Sequence, residues 1–149
     1  MNPAWQRVGN SGPAPVTVAA YCARILISPF DSKVVYVCFS RFGGTPPGNV
    51  WRTDDGGATW KNLGAGLPAV PTRAIAIHPK NRNLIYLGTE VGIFASETAG
   101  NSWSATNEGP ANVAVDDLFW MDQTLVCVTH GRGMYTSDLK TASAAPPIV

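Results

Sequence analysis

Trp51-Arg52-Thr53-Asp54-Asp55-Gly56-Gly57-Ala58-Thr59-Trp60 has a counterpart 43 residues downstream, Phe94-Ala95-Ser96-Glu97-Thr98-Ala99-Gly100-Asn101-Ser102-Trp103, in which a hydroxyl residue, a glycine and the closing tryptophan coincide. The likeness extends upstream. Ile27-Ser28-Pro29 matches Ile77-His78-Pro79, and Val35-Tyr36-Val37 matches Ile85-Tyr86-Leu87, both at an offset of 50. The seven extra residues are an insertion around Phe42 to Gly48. A fainter third copy places Leu125 to Val128 after Leu84 to Leu87, and Gly133-Met134-Tyr135 after Gly92-Ile93-Phe94, at an offset of 41. A repeat of this length is one supersecondary unit that buries its apolar faces only by stacking on its neighbours.

Each unit reads as short β-branched or aromatic segments cut by Gly, Pro, Asn and Asp, which predicts a meander of antiparallel strands. The expected strands are 24–27, 34–40, 49–53 and 59–63 in the first unit, then 73–77, 84–88, 92–96 and 102–106 in the second. The third unit offers 117–121, 124–129 and 133–137 and then runs into an Ala- and Pro-rich stretch without a Trp. Its missing fourth strand has a double at the other end of the chain. Trp5-Gln6-Arg7-Val8-Gly9 followed by Pro13 copies Trp60-Lys61-Asn62-Leu63-Gly64 followed by Pro68.

The fold class expected is therefore all-β: propeller blades of four antiparallel strands, three blades per chain. The boundaries are a closing strand at 1–10, blades at 21–65, 72–107 and 113–138, and a flexible tail at 141–149, with 1–140 forming the half-propeller. Propellers use about four to eight blades, so three do not close a ring. The expected solution is a homodimer, a six-bladed ring in which each N-terminal strand completes the neighbour's last blade and covers its open edge.

Composition excludes several classes. Of 149 residues, 45% are hydrophobic and 14% charged, a folded rather than a disordered chain. The formal net charge of +1 is too balanced to hold a nucleic-acid backbone or an anionic membrane by bulk electrostatics. Without an apolar run near the ~20 residues of a membrane helix, or the basic and apolar start of a signal peptide, the default location is cytoplasmic. Cys22, Cys38 and Cys127 lack metal-ligand spacing and are expected as buried thiols; no metal and no cofactor is called for.

Thr53-Asp54-Asp55-Gly56-Gly57-Ala58-Thr59-Trp60 fits the pattern S/T-x-D-x-G-x-T-W at every specified position, with Thr53, Asp55, Gly57, Thr59 and Trp60 as the defining residues. The chain resembles the BNR or Asp-box repeat propellers, a group that includes sialidases, sortilin-type receptors, xyloglucan hydrolases and a photosystem assembly factor. Thr129-His130-Gly131-Arg132-Gly133 also resembles a hairpin common in the last blades of such proteins. The second copy has Thr98 where the pattern has Asp. The box has a physical reading of its own. The two glycines supply positive φ, the Asp55 carboxylate accepts main-chain N–H groups, and Trp60 lies against a neighbouring sheet. A calcium or catalytic use of Asp54 and Asp55 is the minor reading, because further oxygen ligands at loop spacing are missing.

The ligand-binding candidates gather on the face opposite the boxes: Arg24, Arg73, Arg41, Phe42, Glu90, His130 and Arg132. Arginine holds carboxylates and hydroxyls, and Phe42 or Tyr21 offers a surface for a sugar ring. The plainer reading is that Arg24 and Arg73 pair with Asp116 and Asp117. His130 is expected to bond the main chain, and Trp51, Phe94, Tyr135 and Trp120 to be core. A glycosidase needs two carboxylates roughly 5 to 10 Å apart across its substrate. Asp116 and Asp117 are the candidates for that, although in one strand they point to opposite sides. The leading expectation is a non-catalytic module that binds a glycan, a small polar ligand or a protein on the loop face. The alternatives are a glycoside hydrolase at the dimer's channel mouth and a structural half-propeller without a ligand.

Overall fold

A computed structural model describes residues 20–43, 49–105 and 109–138. The closing strand at 1–10 with Trp5, the loop residue Pro46, Glu108 and the tail at 141–149 lie outside them. The described residues form eleven strands in three antiparallel sheets. The first holds β1 (Tyr21–Ser28), β2 (Asp31–Ser40), β3 (Val50–Thr53) and β4 (Lys61–Asn62) in chain order. The second repeats this with β5 (Thr72–His78), β6 (Asn81–Thr89), β7 (Gly92–Ser96) and β8 (Ser104–Ala105). The third consists of β9 (Val115–Met121), β10 (Thr124–Thr129) and β11 (Gly133–Asp138). Among the described residues no helix is long and apolar enough to cross a membrane.

The repeat is visible in the register. Arg24 pairs with Cys38 after a bulge at Cys22, and Ala74 pairs with Gly88 after a bulge at Thr72, the same irregularity at the same place in two sheets. Strand period then sorts the side chains. In β5, Ile75 and Ile77 face the first sheet, where they pack with Tyr36, Cys38, Val50, Leu63 and Leu67. Ala74 and Ala76 face the third, against Val115, Leu118, Leu125 and Cys127. Small residues on that side admit close approach: a Cβ at Gly88 would lie 2.6 Å from Val115 Cγ1. Each branched side chain buried in these layers is worth about 1.5–3 kcal/mol. Accordingly, Ile85→Ala, at a position with no exposure, is expected to cost about 2–5 kcal/mol.

The innermost strands β1, β5 and β9 lie in sequence, with β5 beside both of the others. Thr72 ties the first two sheets together at one end, its hydroxyl donating to the carbonyls of Phe39 (3.1 Å) and Asn49 (2.9 Å). Thr89 and Thr129 repeat a hydroxyl clasp within their own sheets, onto the carbonyls of Gly92 and Gly133.

Three expectations need correction. The fourth strands are shorter than read, because Thr59, Trp60, Ser102 and Trp103 are taken up by the turns before them. Cys38 and Cys127 are buried, but Cys22 is exposed. Tyr135 is 42% exposed rather than core, whereas Trp51 is buried. Trp60 packs on Val37, Phe39 and Trp51 on the outer face of the first sheet, the same face by which Trp103 meets a neighbouring sheet, its Nε1 donating to Leu63 O at 2.7 Å.

Candidate functional site

The starts of the three innermost strands, the β6–β7 turn and the β10–β11 turn meet at one end of the molecule. Arg73, at the start of β5, reaches two carboxylates: its guanidinium donates to Asp116 at 2.8 Å and to Glu90 at 2.6 Å. The other oxygen of Asp116 lies 3.2 Å from His130 Nδ1. Arg24 spans from the first sheet to the third and donates to Asp117 at 2.7 Å. Asp116 and Asp117 are adjacent in β9, so strand alternation sends them to different arginines.

Six of the residues singled out from the sequence thus form one polar cluster: Arg24, Arg73, Glu90, Asp116, Asp117 and His130. The pairing of arginines with aspartates is the plainer of the two expectations, and it is what forms. The His130 ring departs from expectation by meeting a carboxylate rather than the main chain, while its amide donates to Ala114 O at 2.9 Å. The remaining candidates stand apart. Arg41 is held by Asn49, its Nε donating to Asn49 Oδ1 at 2.8 Å. Phe42 is 72% exposed, and Arg132 reaches Ala111 O at 3.4 Å. Tyr21 is exposed at the end of β1. Sequence reasoning passed over Asn49, which is buried and whose amide donates to the carbonyls of Arg41 and Val70, both at 2.8 Å. An Asn at the start of an expected strand, next to the inserted loop, was the available signal.

The network is partly solvated, each member of its arginine pairs keeping about a third of its side chain exposed. Ion pairs of this kind contribute about 0–1 kcal/mol each. They do little for stability and much for orientation: donors and acceptors are held in fixed places at the end of the innermost strands. Arg73 Nε is buried and has no acceptor among the described residues.

As an acid-base pair the aspartates are poorly placed. Both oxygens of Asp116 are engaged, by Arg73 and His130. Asp117 Oδ1 accepts from Arg24 and from the amide of Leu118. The network can orient hydroxyls or a carboxylate; it presents no pair of free carboxyl groups across a gap.

On the opposite face, Asp54 and Asp55 do not cooperate. Asp54 accepts from Arg52 Nε at 2.8 Å. Asp55 accepts from the Thr53 hydroxyl (2.7 Å), the Thr59 amide (2.9 Å) and the Thr59 hydroxyl (2.6 Å). The bonds from Thr59 and then Thr53 hold its carboxyl well below the ordinary value of 3.8. Among the described residues no three His, Cys, Asp or Glu side chains gather in a way that would hold a metal.

No family model matches the chain. An oligoxyloglucan-reducing end-specific xyloglucanase from Emericella nidulans is 27% identical over 102 residues, 64% of this chain and 12% of that protein. Among solved structures, the GH74 xyloglucanase from Xanthomonas campestris superposes with a TM-score of 0.62 at 18% identity, covering 77% of this chain and 20% of the other. An ancestral GH74 enzyme gives 0.65 at 21% identity over 89% of this chain and 16% of its own. At these identities the likeness establishes the fold: the three sheets are blades of a β-propeller. The chain spans about an eighth to a fifth of the lengths of these three proteins.

Proposed function

We propose that this chain is a non-catalytic BNR-type half-propeller that pairs with a second copy of itself and binds a glycan or other small polyhydroxylated ligand on the face carrying Arg73. The observation that carries the reading is the guanidinium of Arg73, fixed between Asp116 and Glu90 with about a third of its side chain exposed. Fixed donors beside partly solvated carboxylates suit hydroxyls, which donate and accept at once. A carbohydrate relation is supported by the xyloglucanase relative.

Pairing is supported by the flanks. The outer face of the first blade leaves Ile25 at 62% and Ile27 at 59% exposure, and that of the third leaves Met121 at 57% and Met134 at 72%. Two apolar blade faces at the ends of one stack are what a second half-ring covers, and two copies bring the blade count to six, within the range propellers use. The ring would then carry the Arg73 network twice about its two-fold axis.

The test is a glycan array followed by titration of any hit. Binding that falls at least tenfold in Arg73→Ala, with Arg132→Ala unaffected, is expected. Binding unchanged by Arg73→Ala overturns the site. A second reading, hydrolysis at the channel mouth, is favoured by the names of the relatives alone. Chromogenic glycosides and xyloglucan are expected to survive incubation; turnover abolished by Asp116→Ala or Asp117→Ala would establish hydrolysis instead.

A further inference from the structure

On the face opposite the Arg73 network, the β1–β2 turn, the start of β6 and the two tryptophan-closed turns enclose a cavity of about 240 Å³ between the first and second blades. Its apolar wall is Phe30, Val34 and Tyr36. Its polar rim carries two cations, Arg52 and Arg82, and two anions, Asp31 and Asp54, so the lining has no net charge.

The rim is built rather than scattered. Arg52 lies over the ring of Tyr36 at 5.5 Å and donates to Asp54 through Nε and Nη2, at 2.8 and 2.5 Å. Its Nη1 reaches Ala99 O at 3.3 Å across the blade boundary, so Arg52 is tied at all three nitrogens and one oxygen of Asp54 is taken up. Arg82 differs. Its guanidinium lies over Phe30 at 5.7 Å, and no carboxylate pairs with it among the described residues. Asp31 uses one oxygen to accept from the Lys33 amide at 2.9 Å. The second oxygens of Asp31 and Asp54, the Arg82 donors and the Asn83 side-chain amide remain to be satisfied from outside.

That combination selects a ligand class. An anion gains from Arg82 but is repelled by Asp31 and Asp54, and a cation meets the reverse. A neutral polyol finds acceptors for its hydroxyl protons, donors for its oxygens and a ring wall for its C–H face. The volume is below the ~300–1,000 Å³ of a pocket for a drug-sized molecule, which sets the occupant at one sugar ring rather than a chain. We infer that the groove between Phe30, Arg82 and Asp54 is a second binding site, for a single neutral pyranose. It is independent of the Arg73 network and uses none of its residues.

The experiment is saturation-transfer NMR of the full chain with methyl β-xyloside, methyl β-glucoside and methyl β-galactoside, each at millimolar concentration, with inorganic phosphate as a separate probe. Arg82 and Phe30 are exposed, so Arg82→Ala and Phe30→Ala keep the core intact, which unchanged thermal melting verifies. The inference predicts transfer to at least one glycoside, a loss of at least tenfold in affinity in either variant, and no change in Arg73→Ala. Absence of transfer from all three glycosides overturns it. So does phosphate binding that displaces them, or a signal lost in Arg73→Ala and kept in Arg82→Ala, which would return the sugar to the other face.

Discussion

The turns at 53–60 and 96–103 fold the same way on different chemistry. In the first, the amides of Asp55 and Gly57 donate to Thr53 Oγ1 at 3.3 and 2.9 Å; in the second, the amides of Thr98 and Gly100 donate to Ser96 Oγ at 3.1 and 2.8 Å. Where Asp55 accepts the Thr59 amide, Thr98 Oγ1 accepts the Ser102 amide, both at 2.9 Å. A hydroxyl therefore replaces a carboxylate as the hub without loss of the turn. What differs is charge and attachment. The first hub is an anion that serves its own loop, and the second is neutral in a loop pressed against the neighbouring blade.

Attachment predicts the largest effect. Gly100 has φ +88, and a Cβ there would lie 2.6 Å from Leu63 Cδ1, while the space at Gly56, φ +74, is open. Gly100→Ala combines backbone strain with a clash and is expected to cost about 2–4 kcal/mol; Gly56→Ala carries the strain alone, about 1 kcal/mol. Denaturant unfolding of the two variants measures the gap. Equal costs would mean that the contact of Gly100 with Leu63 adds nothing to the backbone strain that both glycines carry.

Next comes the indole bond between blades. Trp103→Phe removes the donor to Leu63 O and is expected to cost about 1–2 kcal/mol. Trp60→Phe removes a 3.1 Å bond to Gly57 O inside its own turn and should cost less.

The charge difference is read by pH. Because hydrogen bonds lower the folded-state value of Asp55, its contribution is fully present above the unfolded-state value and is lost as pH falls below about 4 toward the folded-state value. Asp55→Thr, which copies the second turn, is expected to flatten that part of the acid limb in a plot of melting temperature against pH. Thr98→Asp is expected to deepen it. An acid limb unchanged in Asp55→Thr would show that the carboxylate does not carry it.

The smallest effect is a gain. Ala99 sits at φ +55, where the first turn has Gly56. Ala99→Gly relieves left-handed strain at the cost of a more flexible unfolded chain and of a methyl packed on the core, and should stabilise by no more than about 0.5 kcal/mol.

The same two turns show what was legible in the sequence. Their shared hydroxyl, glycine and tryptophan gave the period, and the period gave the strands, because a repeat fixes register wherever one copy is clear. The destination of each tryptophan was not legible. Trp60 and Trp103 hold one repeat position and the same face of their sheets, but among the described residues only Trp103 has a neighbouring sheet there, and its bond to Leu63 O is made to a residue distant in the chain. Arg24, Arg73, Asp116 and Asp117 could be paired in advance, since strand starts in successive repeats converge and opposite charges satisfy one another. The groove at Phe30 and Arg82 could not be found that way: it is assembled from a turn, a strand start and a loop of two different repeats, none of which carries a motif.

The claim that most of the functional reading rests on is that two copies of this chain meet through Ile25, Ile27, Met121 and Met134. Light scattering on the eluting peak of a sizing column at micromolar concentration tests it most directly. The account predicts a mass twice the chain's 15.8 kDa, falling to the single-chain value in Met134→Asp, a substitution at an exposed position. A 15.8 kDa particle in the unaltered protein would contradict it.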